Sequence, residues 1–73
     1  MDDGSTYEAY AVAGYILANE KWMNKMKSMN ERDRFKKLCN IMPAACRETK
    51  FKLTDAEQSF TRRMVMRGIK ELA

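Results

Sequence analysis

The chain has 73 residues, a formal net charge of +4, 45% hydrophobic residues and no histidine. A chain this short forms a single domain, 1–73, and buries only ~60% of its unfolded surface, which favours a protein that docks on a partner. The hydrophobic content excludes wholesale disorder. The uncharged run from Ala9 to Ala18 is far shorter than the ~20 residues of a membrane span, and no basic segment precedes it as in a signal peptide. We therefore predict a cytoplasmic protein that does not bind membranes.

Charge is divided unevenly along the chain. Residues 1–20 hold four acids and no base, and residues 21–73 hold all fourteen bases and six acids, so the two parts carry −4 and +8. An acidic end on a basic body can meet partners of either sign.

The first helical segment is the most apolar one. Ser5 and Glu8 predict a capping box that starts a helix at Thr6, after disordered residues 1–4. We expect Gly14 to allow a neighbouring helix to approach closely. The helix is apolar nearly all round, so the later helices are predicted to pack against it. One face at helical spacing contains Tyr7, Tyr10, Ala11, Gly14, Leu17 and Ala18, and the opposite side contains Val12 and Ile16.

Past Asn19 the apolar stripe narrows to Trp22, Met26 and Met29. This pattern allows either one long helix to about residue 28 or two helices with a bend near residues 19 and 20.

The middle helix begins at one of two alternative caps, a Ser28–Glu31 capping box or an Asn30 cap, and runs to about Ile41. Pro43 is predicted to end it, with one short helical turn over 43–48. The predicted core stripe comprises Phe35, Leu38, Cys39 and Met42, and the basic outer side comprises Arg32, Arg34, Lys36 and Lys37.

The segment 50–53 is predicted to be an extended lead-in that presses Phe51 and Leu53 onto the core. Thr54 and Glu57 form a capping box for a last helix from Asp55 to about Leu72. Its predicted inner side comprises Phe60, Met64, Val65, Gly68, Ile69 and Leu72. The predicted fold class is all-α, a compact single-domain bundle of three to five helices.

The residue types argue against an enzyme. Without histidine, Ser-His and Cys-His activation is impossible, and the three glycines are isolated, so no Gly-rich phosphate loop exists. Cys39 and Cys46 are expected to be reduced, half-buried thiols, and two thiolates leave a zinc site half empty. We predict no catalytic residue, no cofactor, no metal and no small-molecule substrate.

Basic residues of the last helix are the candidates for contact with nucleic acid or an acidic surface. Such side chains neutralise phosphates and give salt-dependent binding. About a dozen residues, 42–54, separate the middle helix from the last one, which argues against a helix-turn-helix. The competing interpretation is that these basic residues only form a solvent-exposed helix face. The candidates are Arg62, Arg63, Arg67 and Lys70.

Aromatic and acidic residues near the N-terminus are the candidates for binding a protein partner. Tyrosine and tryptophan dominate interface hot spots, although core packing is the competing interpretation for each ring. The candidates are Asp3, Tyr7, Glu8, Tyr10, Tyr15 and Trp22.

The whole chain resembles small transcription regulators of lytic phages that bind host bacterial RNA polymerase. The opening MDDGSTYEAYAVAGYILANEKW and the middle RDRFKKLCNIMPAACRE carry this resemblance. It implies docking near the start of the β′ subunit and on the flap of the β subunit, beside the RNA exit channel. It further implies inhibition of initiation by displacing sigma factor, antitermination, and proximity to nascent RNA in the host cytoplasm. The alternative from the residues alone is a small basic helical DNA-binding repressor.

Overall fold

The fold is an all-α bundle, as the sequence predicted. A computed structural model describes residues 3–72. Over this range the chain forms four helices and no strand, and each helix contacts the other three. The helices are α1 (Tyr7–Ala18), α2 (Glu20–Lys27), α3 (Glu31–Thr49) and α4 (Asp55–Leu72).

Helix α1 begins one residue later than predicted. Thr6 is the N-cap, and its hydroxyl oxygen accepts from the backbone N–H of Ala9 at 3.2 Å. The same hydroxyl donates to a carboxylate oxygen of Glu57 in α4 at 2.6 Å. Ser5 instead hydrogen-bonds to Asp3. The predicted Ser5 capping box is therefore wrong, because the cap that also has a partner in α4 is favoured.

Gly4 is buried, in contrast to the disorder predicted for residues 1–4. Its φ is 85°, and a Cβ there would collide with the carbonyl oxygen of Ala56. Met1 and Asp2 lie outside the described residues.

The buried side of α1 is the one that contains Val12 and Ile16, not the face that contains the tyrosines. Tyr7 and Tyr10 are 79% and 51% exposed. Gly14 is exposed, and a Cβ there would meet no atom within 4 Å. The close approach occurs instead at Gly68, where a Cβ would lie 2.9 Å from the Leu17 methyl groups. The buried side of α1 consists of Ala9, Val12, Ala13 and Ile16. Its two alanines are small and let the helix approach the rest of the bundle closely.

The chain bends at Asn19, which confirms the two-helix alternative. The Asn19 N–H donates to the Ile16 carbonyl at 3.0 Å and closes α1. Its side-chain oxygen accepts from the Trp22 N–H at 3.0 Å and opens α2. One asparagine in an extended conformation thus caps both helices.

Asn30 caps α3 by accepting from the Asp33 N–H at 2.8 Å, as the second alternative predicted. Arg34 does not face solvent as expected. Its guanidinium donates to the carbonyls of Met26 at 3.1 Å and Met29 at 3.0 Å. These carbonyls belong to the end of α2 and the turn after it, so Arg34 satisfies them and fixes the α2–α3 junction.

Helix α3 continues through Pro43 to residue 49, so the predicted end at Pro43 is wrong. The apolar stripe of α3 continues before and after the proline in the chain. The burial of these residues outweighs the loss of the one backbone hydrogen bond that proline cannot donate. Phe35 and Cys39, both assigned to the core, are exposed. The buried residues are Leu38, Ile41, Met42 and Ala45.

Lys50 ends α3 in the left-handed conformation, with φ 63°. Phe51 and Leu53 pack against the core, as predicted. The predicted Thr54–Glu57 capping box is confirmed: the Thr54 N–H donates to Glu57 at 2.7 Å, and the Glu57 N–H donates to the Thr54 hydroxyl at 3.2 Å.

Helix α4 has the predicted bounds but a shifted inner side. Leu72 is 63% exposed, and Phe60, Met64 and Gly68 are only partly buried. The hydroxyl of Thr61 lies 2.8 Å from the Glu57 carbonyl and 3.2 Å from the Ala9 carbonyl, which links α4 to α1. The buried residues are Glu57, Thr61, Val65 and Ile69.

Candidate interaction surface

The tyrosines of α1 form edge-to-face pairs with rings of three different parts of the chain. Tyr7 pairs with Phe51 of the α3–α4 connection at a centroid distance of 6.5 Å. The pairs Tyr10–Phe60 and Tyr15–Trp22 have centroid distances of 5.0 Å and 6.2 Å. The structure therefore divides the predicted aromatic face among the connection, α4 and α2.

Tyr15 and Trp22 take part in packing between helices. The Tyr15 hydroxyl donates to a carboxylate oxygen of Glu48 in α3, and this hydrogen bond to the carboxylate raises the pKa of Tyr15. Trp22 is half-buried against the core. This pair links α1, α2 and α3.

Tyr10 lies where the two predicted sets of site residues meet. Its ring packs on Phe60 of α4, and the guanidinium carbon of Arg63 is 5.7 Å from the centroid of Phe60. Tyr10 and Arg63 remain exposed. Tyr10 of α1 and Arg63 of α4 thus both contact the ring of Phe60.

Next to this ring is a groove of about 410 Å³, lined by Phe35, Ser59, Arg62, Arg63 and Met66. The Arg62 guanidinium carbon lies 5.4 Å from the Phe35 centroid, and its Nη2 donates to the Ser59 hydroxyl at 3.1 Å. Arg62 Nε is buried and has no hydrogen-bond partner among residues 3–72. Arg62 is half-buried rather than facing out.

We call this region the aromatic–arginine surface; it comprises Tyr10, Phe35, Phe60, Arg62 and Arg63. Rings with guanidinium groups over them offer flat apolar area and positive charge together. Carboxylates and phosphates are the anions that such groups bind.

The remaining predicted residues are exposed. Arg67 and Lys70 lie along α4, and Glu8 lies in the first turn of α1. Asp3 accepts hydrogen bonds from the Ser5 hydroxyl and N–H, and these bonds lower the pKa of Asp3. The positive charge of Arg63 makes a smaller contribution in the same direction.

The sequence pattern assigned both Phe35 and Phe60 to the core, but Phe35 is exposed and Phe60 is only half-buried. Arg34, one residue before Phe35, turns inward to the α2 carbonyls, and Phe35 is left 48% exposed. The available signal was the stripe through Leu38 and Ile41, whose backward continuation falls on Arg34 rather than on Phe35.

Both cysteines are free thiols; Cys39 is exposed and Cys46 is half-buried. Within residues 3–72, no three acidic, cysteine or histidine side chains come close enough together to hold a metal ion.

No helix in the described part of the chain is long and apolar enough to cross a membrane.

Comparison with protein-family models, with curated proteins and with solved structures gives no match.

Proposed function

We propose that this chain is a non-enzymatic regulator that docks on bacterial RNA polymerase. The observation that supports docking best is the aromatic–arginine surface. Tyr10 is 51% exposed and Phe35 is 48% exposed. Two guanidinium groups lie over the rings of Phe35 and Phe60. Rings and arginines fixed by such contacts bind a partner at low entropic cost.

The resemblance of the sequence supplies the partner. On this proposal the chain contacts the start of the β′ subunit and the β flap in the cytoplasm of the host bacterium. It displaces sigma factor and so inhibits initiation, and it acts as an antiterminator by hindering RNA hairpins at the exit channel. No cofactor or small-molecule substrate takes part.

The test is capture of purified core polymerase and holoenzyme by the tagged chain. A wash at ~0.3 M salt removes proteins that are held by electrostatic attraction alone, because salt screens it. We expect retention of the large subunits and loss of sigma. Tyr10→Ala should weaken retention by about 2 kcal/mol, roughly thirtyfold, as loss of an interface hot spot does.

Leu72→Ala is the matched control because Leu72, like Tyr10, is strongly exposed, but it lies at the C-terminal end of α4 and is not part of the aromatic–arginine surface. Its retention should equal that of the wild type. Circular dichroism checks that each variant is folded. Equal retention of the Tyr10 and Leu72 variants would contradict docking through this surface.

A DNA-binding repressor is the second candidate, and one observation favours it. The α3–α4 connection spans only residues 50–54, rather than the dozen residues predicted, so the spacing objection to a helix-turn-helix no longer applies. Arg63 and Arg67 are exposed on α4. If this candidate is correct, Arg63→Glu with Arg67→Glu abolishes binding to duplex DNA, and Tyr10→Ala leaves it intact.

A further inference from the structure

A second groove lies between the C-terminal half of α3, the α3–α4 connection and the first turns of α4. Its volume is about 490 Å³, and it is separate from the aromatic–arginine surface. Most of its wall is apolar, from Met42, Pro43, Phe51 and Leu53, with the Cys46 thiol among them. Its size suits one or two apolar side chains of a partner.

The rim of this groove is cationic. Arg47, Lys50 and Lys52 line it, and all three are exposed. Of the described residues that line it, none is an aspartate or a glutamate. Glu48, the acid next to Arg47, bonds to the Tyr15 hydroxyl. The positive charge at the rim is thus not neutralised by an acid of the groove itself.

Backbone hydrogen bonds fix the shape of this groove. The Lys50 N–H donates to the Arg47 carbonyl at 3.2 Å, and the Phe51 N–H donates to the Cys46 carbonyl at 3.1 Å. The side-chain amide of Gln58 donates to the Leu53 carbonyl at 3.1 Å. A connection held at both ends needs little ordering when a ligand binds.

We propose that this groove binds an acidic peptide segment through an apolar anchor side chain. The apolar wall takes the anchor, and the three cations attract carboxylates on either side of it. Among the described residues of the apolar wall, Phe51 carries the one aromatic ring, and it forms an edge-to-face pair with Tyr7; the other wall residues are aliphatic, thioether or thiol. That chemistry favours an aliphatic side chain over a stacked nucleobase. The site goes beyond the proposed polymerase docking and does not depend on it.

The full chain with Cys39→Ser tests the proposal, because Cys46 is then its one thiol and lines the groove. The rate of alkylation of the Cys46 thiol is measured in the presence of a short peptide that has two leucines between aspartates and glutamates. Matched peptides replace the leucines by serine or the acids by lysine. We expect saturable protection of Cys46 by the first peptide, and none by either control.

Lys50→Glu with Lys52→Glu should weaken this protection about tenfold, as expected for two exposed charge contacts. Lys25→Glu with Lys27→Glu makes the same change in net charge on α2, away from the groove lining, and should leave protection unchanged. All four lysines are exposed, so the variants are expected to fold.

Three results would overturn the proposal. Equal protection by the serine peptide would mean attraction by charge alone. Protection by a single-stranded RNA oligonucleotide, without protection by the acidic peptide, would assign the groove to nucleic acid. Protection that rises with protein concentration, without added peptide, would assign it to a second copy of the chain.

Discussion

The Glu57 carboxylate is the side chain that joins the start of the chain to its last helix. It is only 8% exposed and accepts from the Thr54 N–H and from the Thr6 hydroxyl. These two hydrogen bonds lower the pKa of Glu57 from its ordinary value of 4.5. One side chain thus completes the cap of α4 and fixes the cap of α1.

Glu57→Gln is predicted to lower the free energy of unfolding at neutral pH. The Thr6 hydroxyl and the Thr54 N–H donate to different oxygens of the carboxylate, whereas the uncharged amide has only one acceptor oxygen. The folded pKa of Glu57 is lowered, so its stabilisation is present above about pH 4.5 and is lost as pH falls through the folded pKa. The difference between wild type and variant should therefore shrink on acidification, as measured by urea unfolding across this range.

Glu71→Gln is the control, since Glu71 is exposed near the end of α4. It should leave the pH dependence of the wild type intact. A Glu57→Gln difference that stayed constant from neutral to acid pH would show that the charge of Glu57 is not what stabilises the two caps.

At the scale of elements, α3 is the helix whose sequence and structure disagree most. A proline inside a helix lacks the N–H that would bond to the carbonyl four residues earlier, here Cys39. Cys39 and Pro43 are both exposed, so water can reach this part of the helix. Helix α3 therefore tolerates the proline on its outer side while its inner side stays buried.

Pro43→Ala is predicted to raise the free energy of unfolding by about 1–3 kcal/mol, because alanine restores the hydrogen bond and favours the helix. Chemical denaturation with circular dichroism measures the change. Asn40→Ala, also exposed on α3, should add less than about 0.7 kcal/mol from helix propensity alone. A less stable Pro43 variant would mean that the proline acts mainly by restricting the unfolded chain.

At the scale of the whole molecule, the four helices share one hydrophobic core. All six pairs of helices are in contact, and the core includes buried residues from every helix. Helix α2 has only eight residues, too few to be stable alone, so its structure depends on this core.

Unfolding is accordingly predicted to be a single cooperative transition. Trp22, the one tryptophan, lies in α2 and reports that helix by fluorescence, and far-UV circular dichroism reports all four. The two urea transitions should have the same midpoint and slope. A fluorescence transition at lower urea would mean that α2 detaches before the bundle unfolds.

Local signals in the sequence determined where α4 begins and what holds the connection before it. The Thr54–Glu57 capping box and the apolar Phe51 and Leu53 act through neighbours a few residues away, so a linear pattern is enough to find them. The bend at Asn19 and the Asn30 cap also depend on neighbouring residues, so the sequence pattern included each of them as one of two alternatives. Helix existence and the all-α class followed from periodicity alone.

The tertiary structure decided which side of each helix is buried and which residues share a surface. The first helix is apolar on both sides, so only its packing in the four-helix core decided that Val12 is buried and Tyr10 stays largely exposed. The cap at Thr6 needed Glu57, fifty-one residues away, and the continuation through Pro43 needed a core on both sides of it. The sequence by itself determined the helices through contacts between near neighbours. The contact of Tyr10 with Phe60 and the α3–α4 groove depend on residues that only folding brings together.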